Sequence, residues 1–196
     1  GSISDFANSV RVMRRHEIER IGLAWMSGVT DDATSLAGMT DVYDAIIEAS
    51  LRWAIRHQLD EMRFDEAPAA ITVIGMGRYG GREVNFSSDA DVIIIYRPTE
   101  EADDGQANLF ARKVQEDLRA ILQGPTTFEP KIELDMDLRP EGKNGPLVRS
   151  YASCEEYYRS WASTWEHQAL LRARHAAGDV ALAEDFLVNI ADPLRY

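Results

Sequence analysis

Between Asp5 and Leu59 the apolar residues Val10, Met13, Ile18, Ile21, Leu23 and Trp25, then Val42, Ile46, Ile47, Ala49, Leu51 and Trp53, recur at spacings of three and four. That is the period of helices with one buried face. The run from Gly28 to Asp41 breaks it with the cap-forming residues Thr30, Asp31 and Asp32 and with Gly38. Two or three helices are therefore predicted, ending and restarting inside that run. The polar stretch Asp65 to Pro68 closes the pattern, which divides the chain into a helical region over 1–66 and a second region over 67–196.

In the second region the period changes. Ala70 to Ile74 is a short β-branched run that suits a buried strand, and Gly75, Gly77, Gly80 and Gly81 follow it as a turn. Ala90 to Tyr96 reads as a second strand stopped by Arg97-Pro98, and the two strands are expected to pair. The acidic stretch Glu100 to Gly105 reads as a loop, Phe110 to Leu122 as a helix closed by Gly124-Pro125, and Lys131 to Leu138 as a third strand. Glu155 to Ala176 and Ala181 to Ile190 read as helices, the latter ended by Asp192-Pro193. The expected class is α+β.

Charge narrows the function classes. The 196 residues carry a formal net charge of −12, which argues against a broad nucleic-acid surface, since phosphate backbones are held chiefly by clustered Lys and Arg. A nucleotide is still permitted, because carboxylate-held Mg²⁺ carries phosphates inside an acidic protein. With no run of about 18 uncharged apolar residues and no basic-then-apolar start, neither a membrane span nor a secretory signal is expected, and a cytoplasmic location is. Gly1-Ser2, without an initiator Met, reads as a cleavage scar on an excised piece of something longer. The single cysteine, Cys154, reads as a small buried hydrophobe.

The candidate chemistry lies between Gly75 and Asp91. Asp89 and Asp91 stand two apart at the start of a predicted strand, so both carboxylates project from one face. An isolated Asp-x-Asp is more commonly a solvated strand end. Here it follows a strand, a Gly-rich turn and Ser87-Ser88, and precedes a third acidic strand in which Asp135 and Asp137 repeat the spacing. Paired carboxylates repel without a cation, and hard oxygen ligands favour Mg²⁺ or Mn²⁺. One of Asp135 and Asp137 would complete a three-carboxylate site. The glycines would let backbone N–H groups cradle a phosphate, with Arg78 adding charge and Ser87 or Ser88 a hydroxyl.

Gly75-Met76-Gly77-Arg78-Tyr79-Gly80 formally matches the dinucleotide-binding fingerprint, but only Arg82 to Phe86 separate the glycines from Ser87, too few for the helix that reading requires. Dinucleotide binding is disfavoured. Trp161 and Trp165, four apart, read as core packing, and His167 beside Glu166 as structural.

Four segments together resemble the glutamine synthetase adenylyltransferase family: Gly75-x-Gly-Arg-x-Gly-Gly-x-Glu83, Ser88-Asp-x-Asp91, Leu138-Arg-Pro-x-Gly142 and Trp165 to Arg174. The likeness runs more loosely from the N-terminal helices to Asp192–Tyr196. It implies a polymerase-β-like nucleotidyltransferase fold, a small mixed β-sheet with flanking helices and an N-terminal helical region. It implies transfer of AMP from ATP to a tyrosine of glutamine synthetase, and the segments 139–149 and 164–174 look like the adenylylating half in its actinobacterial version. By position, Asp89, Asp91 and Asp135 match the family's metal-binding acids, which double as its catalytic residues. Gly75, Gly77, Arg78, Gly80, Gly81, Ser88, Arg139, Arg172 and Arg174 match its nucleotide-binding positions, with Arg172 and Arg174 read on one helix. Asp137 falls where many members carry Arg and is read as a peripheral contact. The resemblance further implies the PII signalling protein as a partner through the longer enzyme, and a following helical domain. Phosphorolytic removal of AMP, or a non-catalytic module binding PII or the synthetase, are the alternative functions.

Overall fold

The computed structural model describes residues 2–126 and 129–194. Arg195 and Tyr196, the end of one stretch of the resemblance, lie outside the described residues. The helical period forms two long helices, α1 (Ile3–Met26) and α2 (Asp32–Met62). The break between them is shorter than Gly28–Asp41, because Asp31 caps α2 by accepting the Thr34 N–H at 2.8 Å. Buried Arg11 of α1 donates to the Ile121 carbonyl at 2.7 and 3.0 Å. That places a cation on the last turn of α4 (Asp104–Gln123), where the helix dipole favours it.

Among the described residues five strands make one mixed sheet: β1 (Ala69–Gly75), β2 (Ala90–Pro98), β3 (Leu134–Asp135), β4 (Val148–Ser150) and β5 (Arg174–Gly178). Their order is β3-β2-β1-β5, with β4 also on β2. β1 pairs with β2, as expected, and with β5; both pairings are antiparallel. β3 and β4 run parallel to successive stretches of β2, Leu134–Asp135 beside Ala90–Asp91 and Val148–Ser150 beside Ile94–Tyr96.

Alternation along the strands feeds two cores. Val73, Val92, Ile94 and Tyr96 join α1, α2 and α4 on one face, while Ile74, Ile93 and Ile95 meet α5 (Tyr151–Ser160) and α7 (Val180–Phe186) on the other. Both faces are covered, which is why β2 reads as a continuous apolar run. The helices before Asp65 share the first core with the sheet.

The expected helix over Glu155–Ala176 is four elements. α5 stops at Ser160; Ser163 caps the short α6 (Thr164–Ala169), a 3₁₀ turn spans Leu170–Arg172, and the chain then becomes β5. Pairing of β5 with β1 overrides the helical period of this segment. Trp161 and Trp165, expected in the core, are exposed, at 75% and 48%, because α5 ends before Trp161. Only Leu134 and Asp135 of the expected third strand pair with β2, since the Asp135 side chain takes the Asp137 N–H at 2.7 Å and turns the chain. α4 starts ahead of Phe110, capped by Asp103 in the expected acidic loop. α7 passes into a π turn at Leu187–Ala191. Cys154 is buried, and burial pushes its thiol up to about 12. No described helix is long and apolar enough to cross a membrane.

Two stability predictions follow from local geometry. Gly178 ends β5 at φ +85°, and a Cβ there would lie 2.3 Å from the Ile71 carbonyl oxygen. Gly178→Ala is expected to cost about 2 kcal/mol or more, read as a fall of several degrees in melting temperature. Glu166 is 2% exposed and accepts from Ser163 N, Ser163 Oγ, Tyr157 Oη and Glu141 N at 2.8, 2.8, 2.7 and 3.2 Å. Burial alone would raise its carboxyl, but these donors outweigh burial and hold it below the usual range. Its stabilisation is therefore present at neutral pH and lost as pH falls through that lowered value. In urea melts at pH 7, Glu166→Gln should be about 1–2 kcal/mol less stable than the parent, with the gap closing below about pH 4.

Candidate active site

β1 runs out at Gly75, and the chain turns through Met76 into a single helical turn, α3 (Gly77–Gly80). The Met76 N–H donates to the Asp91 carbonyl at 2.8 Å, tying the turn to the start of β2. Gly77 sits at φ +51°, and a Cβ built on it would fall 2.3 Å from Asp91 Oδ2. Only glycine lets the backbone lie against that carboxylate. The next N–H, that of Arg78, donates to the Asp91 carboxylate, and the exposed Arg78 side chain forms no ion pair among the described residues. Gly81 flanks the Arg172 guanidinium.

The three expected acids meet at the β2–β3 end of the sheet. Asp91 and Asp135 are directly paired positions of the two parallel strands, and Asp89 precedes Asp91 on the exposed rim. Burial first, then the Asp89 and Asp135 charges, raises the Asp91 carboxyl to about 6, against the Arg78 N–H and charge, which lower it. Asp135 Oδ1 is used by the Asp137 N–H, leaving Oδ2 without a hydrogen bond among the described residues. Among the described residues no three His, Cys, Asp or Glu side chains close into a ready metal cage. Asp137 pairs with Lys143 at 3.2 Å and Arg139 at 3.7 Å.

The remaining expected residues divide. Ser88 Oγ accepts the Asn85 N–H at 3.0 Å, and its carbonyl accepts from Tyr43 Oη at 3.0 Å, which sets the loop ahead of Asp89. Arg172, exposed, holds Glu83 at 2.6 Å beside the glycine turn. Arg139, matched to a nucleotide contact, is buried and donates to the carbonyls of Met136, Gly145 and Lys143, so in this fold it clasps the loop after β3. Arg174 lies on β5, not on the helix of Arg172. It pairs bidentately with Asp44 at 2.8 and 3.0 Å and donates to the Tyr79 carbonyl at 3.1 Å, which supports α3 from behind.

Sequence reasoning missed the contribution of α2. Thr40 Oγ1 accepts the Val84 N–H, Asp41 binds Arg82, Asp44 binds Arg174 and Glu48 caps the Gly178 N–H. Thr40, Asp44 and Glu48 stand one turn apart beside the apolar stripe. That polar ladder beside the buried stripe of the helix was the signal available.

Asp89 stands on a ridge between two clefts. One, of about 490 Å³, lies against α1 and is lined by Arg14, Arg15, Phe86, Ser88 and Lys131. The other, of about 390 Å³, lies against α4 and is lined by Asp135, Gln123, Arg119, Lys143 and Leu147. The arrangement offers carboxylates for a divalent cation, backbone N–H groups and an arginine for an anion, and room on both sides of the acids.

A family model described as glutamate-ammonia ligase adenylyltransferase matches residues 4–189. The chain is 78% identical over 195 residues to a bifunctional glutamine synthetase adenylyltransferase/adenylyl-removing enzyme of Bifidobacterium longum (strain DJO10A), covering 100% of this chain and 18% of that protein. Proteins of the same name from Mycobacterium tuberculosis (strain CDC 1551 / Oshkosh) and Mycobacterium leprae (strain TN) are 45% identical over 186 residues and 41% identical over 189, covering 95% and 96% of this chain. The chain spans 18% of the length of each of these two relatives as well. With the family model spanning nearly the whole sequence, the chain belongs to the glutamate-ammonia ligase adenylyltransferase family.

Proposed function

We propose that this chain is a nucleotidyltransferase module that moves AMP from ATP to a tyrosine hydroxyl of glutamine synthetase, on a polymerase-β-like fold with 1–66 as its helical support. The observation that carries the reading is the pairing of Asp91 with Asp135 across β2 and β3, with Asp89 two residues away and the Gly77–Arg78 backbone against Asp91. The names of the relatives supply the substrate, and they belong to proteins about five times longer. Contact with PII belongs, in this proposal, to the rest of such a protein.

Asp89, Asp91 and Asp135 would hold a divalent cation, Mg²⁺ or Mn²⁺. The donors are all hard carboxylate oxygens, and a cation would offset both the burial that chiefly lifts Asp91 and the charge crowding from Asp89 and Asp135 that adds to it. A bound ion would neutralise phosphate charge and lower the pKa of the acceptor hydroxyl. The Arg78 side chain, the glycine turn and the Ser88 hydroxyl orient the triphosphate, and Arg172 stands at its edge, able to exchange Glu83 for phosphate. Asp135 Oδ2 takes the tyrosine proton as its oxygen attacks the α-phosphorus and pyrophosphate leaves. The cleft against α1, with Arg14, Arg15, Lys131 and the Phe86 ring, suits the nucleotide; the cleft against α4 suits the acceptor.

The relatives' name joins adenylyl transfer with adenylyl removal, so the reverse direction, phosphate attacking adenylyl-tyrosine at the same acids, is the second reading. With α-labelled ATP and unmodified glutamine synthetase, label should pass to the synthetase, and Asp89→Asn and Asp91→Asn should each lower the rate on the order of 100-fold or more. Release of ADP from adenylylated synthetase plus phosphate, without forward labelling, assigns the second reading. Undiminished transfer by Asp91→Asn contradicts both.

A further inference from the structure

The fold uses the polar stripe of α4 only at its two ends, where Asn108 donates to Tyr96 Oη at 2.9 Å and Gln123 reaches the Leu134 carbonyl. Asn108, Arg112, Gln115, Arg119 and Gln123 fall at helical spacings of three and four, so they form one line along the helix. The first four line a groove of about 670 Å³ whose other wall is Pro146, Leu147 and Val148. Arg119 and Leu147 also line the cleft that holds Asp135. The groove therefore adjoins the acid site, with Arg119 and Leu147 as their common wall, and on the acid side Gln123 donates to the Leu134 carbonyl at 3.5 Å just before Asp135.

Three observations point to an occupant. Arg112 and Arg119 form no ion pair with a carboxylate among the described residues, in a chain of net charge −12; Arg119 meets only the neutral Gln123 side chain at 3.0 Å. Gln115 is 4% exposed, lines the groove, and its Nε2 has no hydrogen-bond partner among the described residues. A buried amide donor without an acceptor costs about 1–3 kcal/mol, which a ligand carbonyl would relieve. The acid on this wall, Glu116, is neutralised by Lys113 at 2.8 Å.

We propose that this groove receives an extended, acidic polypeptide segment that leads the acceptor residue into the carboxylate site. The two arginines are two helical turns apart, ~10.5 Å along the axis, too far for one small anion to meet both and span the Gln115 amide. The stripe from Asn108 to Gln123 is ~22 Å long, the reach of about six or seven residues of extended chain. Acidic side chains would meet Arg112 and Arg119, and a backbone carbonyl would accept from Gln115 Nε2. The inference rests on the acceptor cleft assigned above, and its test involves neither metal nor nucleotide.

The probes are two fluorescein-labelled heptapeptides, Glu-Glu-Asp-Tyr-Glu-Asp-Glu and its counterpart with every acid replaced by Lys, titrated with the chain and followed by fluorescence anisotropy. The acidic peptide should bind and the lysine peptide should not, with binding weakening as salt rises. Arg112→Glu with Arg119→Glu should weaken the acidic peptide by about tenfold or more and favour the lysine peptide. Gln115→Met, which keeps the volume and removes the donor, should weaken it less and leave the salt dependence intact. Circular dichroism melts confirm that each variant is folded. Equal binding of the two peptides, or an acidic-peptide affinity unmoved by the double reversal, overturns the proposal. So does displacement of the label by inorganic phosphate or free glutamate at equimolar concentration, which would make the groove a small-anion site. A groove that binds as expected in a chain that never labels glutamine synthetase would overturn the transfer reading alone.

Discussion

The site depends on one close approach, the backbone of Gly77 against the carboxylate of Asp91. A side chain at that position would stand 2.3 Å from Asp91 Oδ2, so the glycine is what allows a tight turn and a half-buried acid to occupy the same corner. The Met76 N–H on the Asp91 carbonyl and the Arg78 N–H on its carboxylate fix the two chain segments in register. Asp91 is thereby held half-buried and close to Asp89 and Asp135, and burial first, then the repulsion of those two charges, raises its proton affinity. Such an arrangement is unfavourable as pure structure and reasonable as a place for a cation.

The rest of the molecule braces that corner. Antiparallel pairing of β1 with β2 brings the two ends of the motif together, and the parallel pairing of β3 delivers Asp135 beside Asp91. Behind the turn, α2 acts as a brace: Asp44 holds Arg174, which lies over the Tyr79 ring at 4.9 Å, and Glu48 holds the strained end of β5. Arg14 reaches Tyr43, and Tyr43 reaches the Ser88 carbonyl, so α1 is linked to the acid loop as well. The helical region is not an appendage in this arrangement, since its polar side chains and its apolar face both end on the sheet and the loop that carry the three acids.

Much of this was legible in the sequence. The i, i+2 acids, the glycine turn and the two long strands follow from side-chain alternation and β-branched runs, which are local properties. What escaped was set by tertiary pairing. Arg174 to Gly178 carries a helical period yet is drawn into β5 by the free edge of β1, and the helix expected through Trp161 and Trp165 stops at Ser160 and restarts at the Ser163 cap, with both indoles exposed. Arg139 matched the family's segment but not a free side chain, because spacing cannot reveal that a guanidinium will be consumed by its own loop's carbonyls. The bracing role of Thr40, Asp44 and Glu48 was visible only as a polar stripe, and its targets, more than 40 residues away in the case of Val84 and 130 away for Arg174, were not.

The central claim is that Asp89, Asp91 and Asp135 together hold a divalent cation against a nucleotide bound at the Gly77–Arg78 turn. The most direct measurement is a crystal structure of the chain with Mn²⁺ and a non-hydrolysable ATP analogue, with the ion located by its anomalous signal. The account predicts manganese within about 2.2 Å of oxygens from Asp91 and at least one of Asp89 and Asp135, and triphosphate oxygens on the turn. Nucleotide bound elsewhere, or manganese held by other carboxylates while these three stay apart, would contradict it.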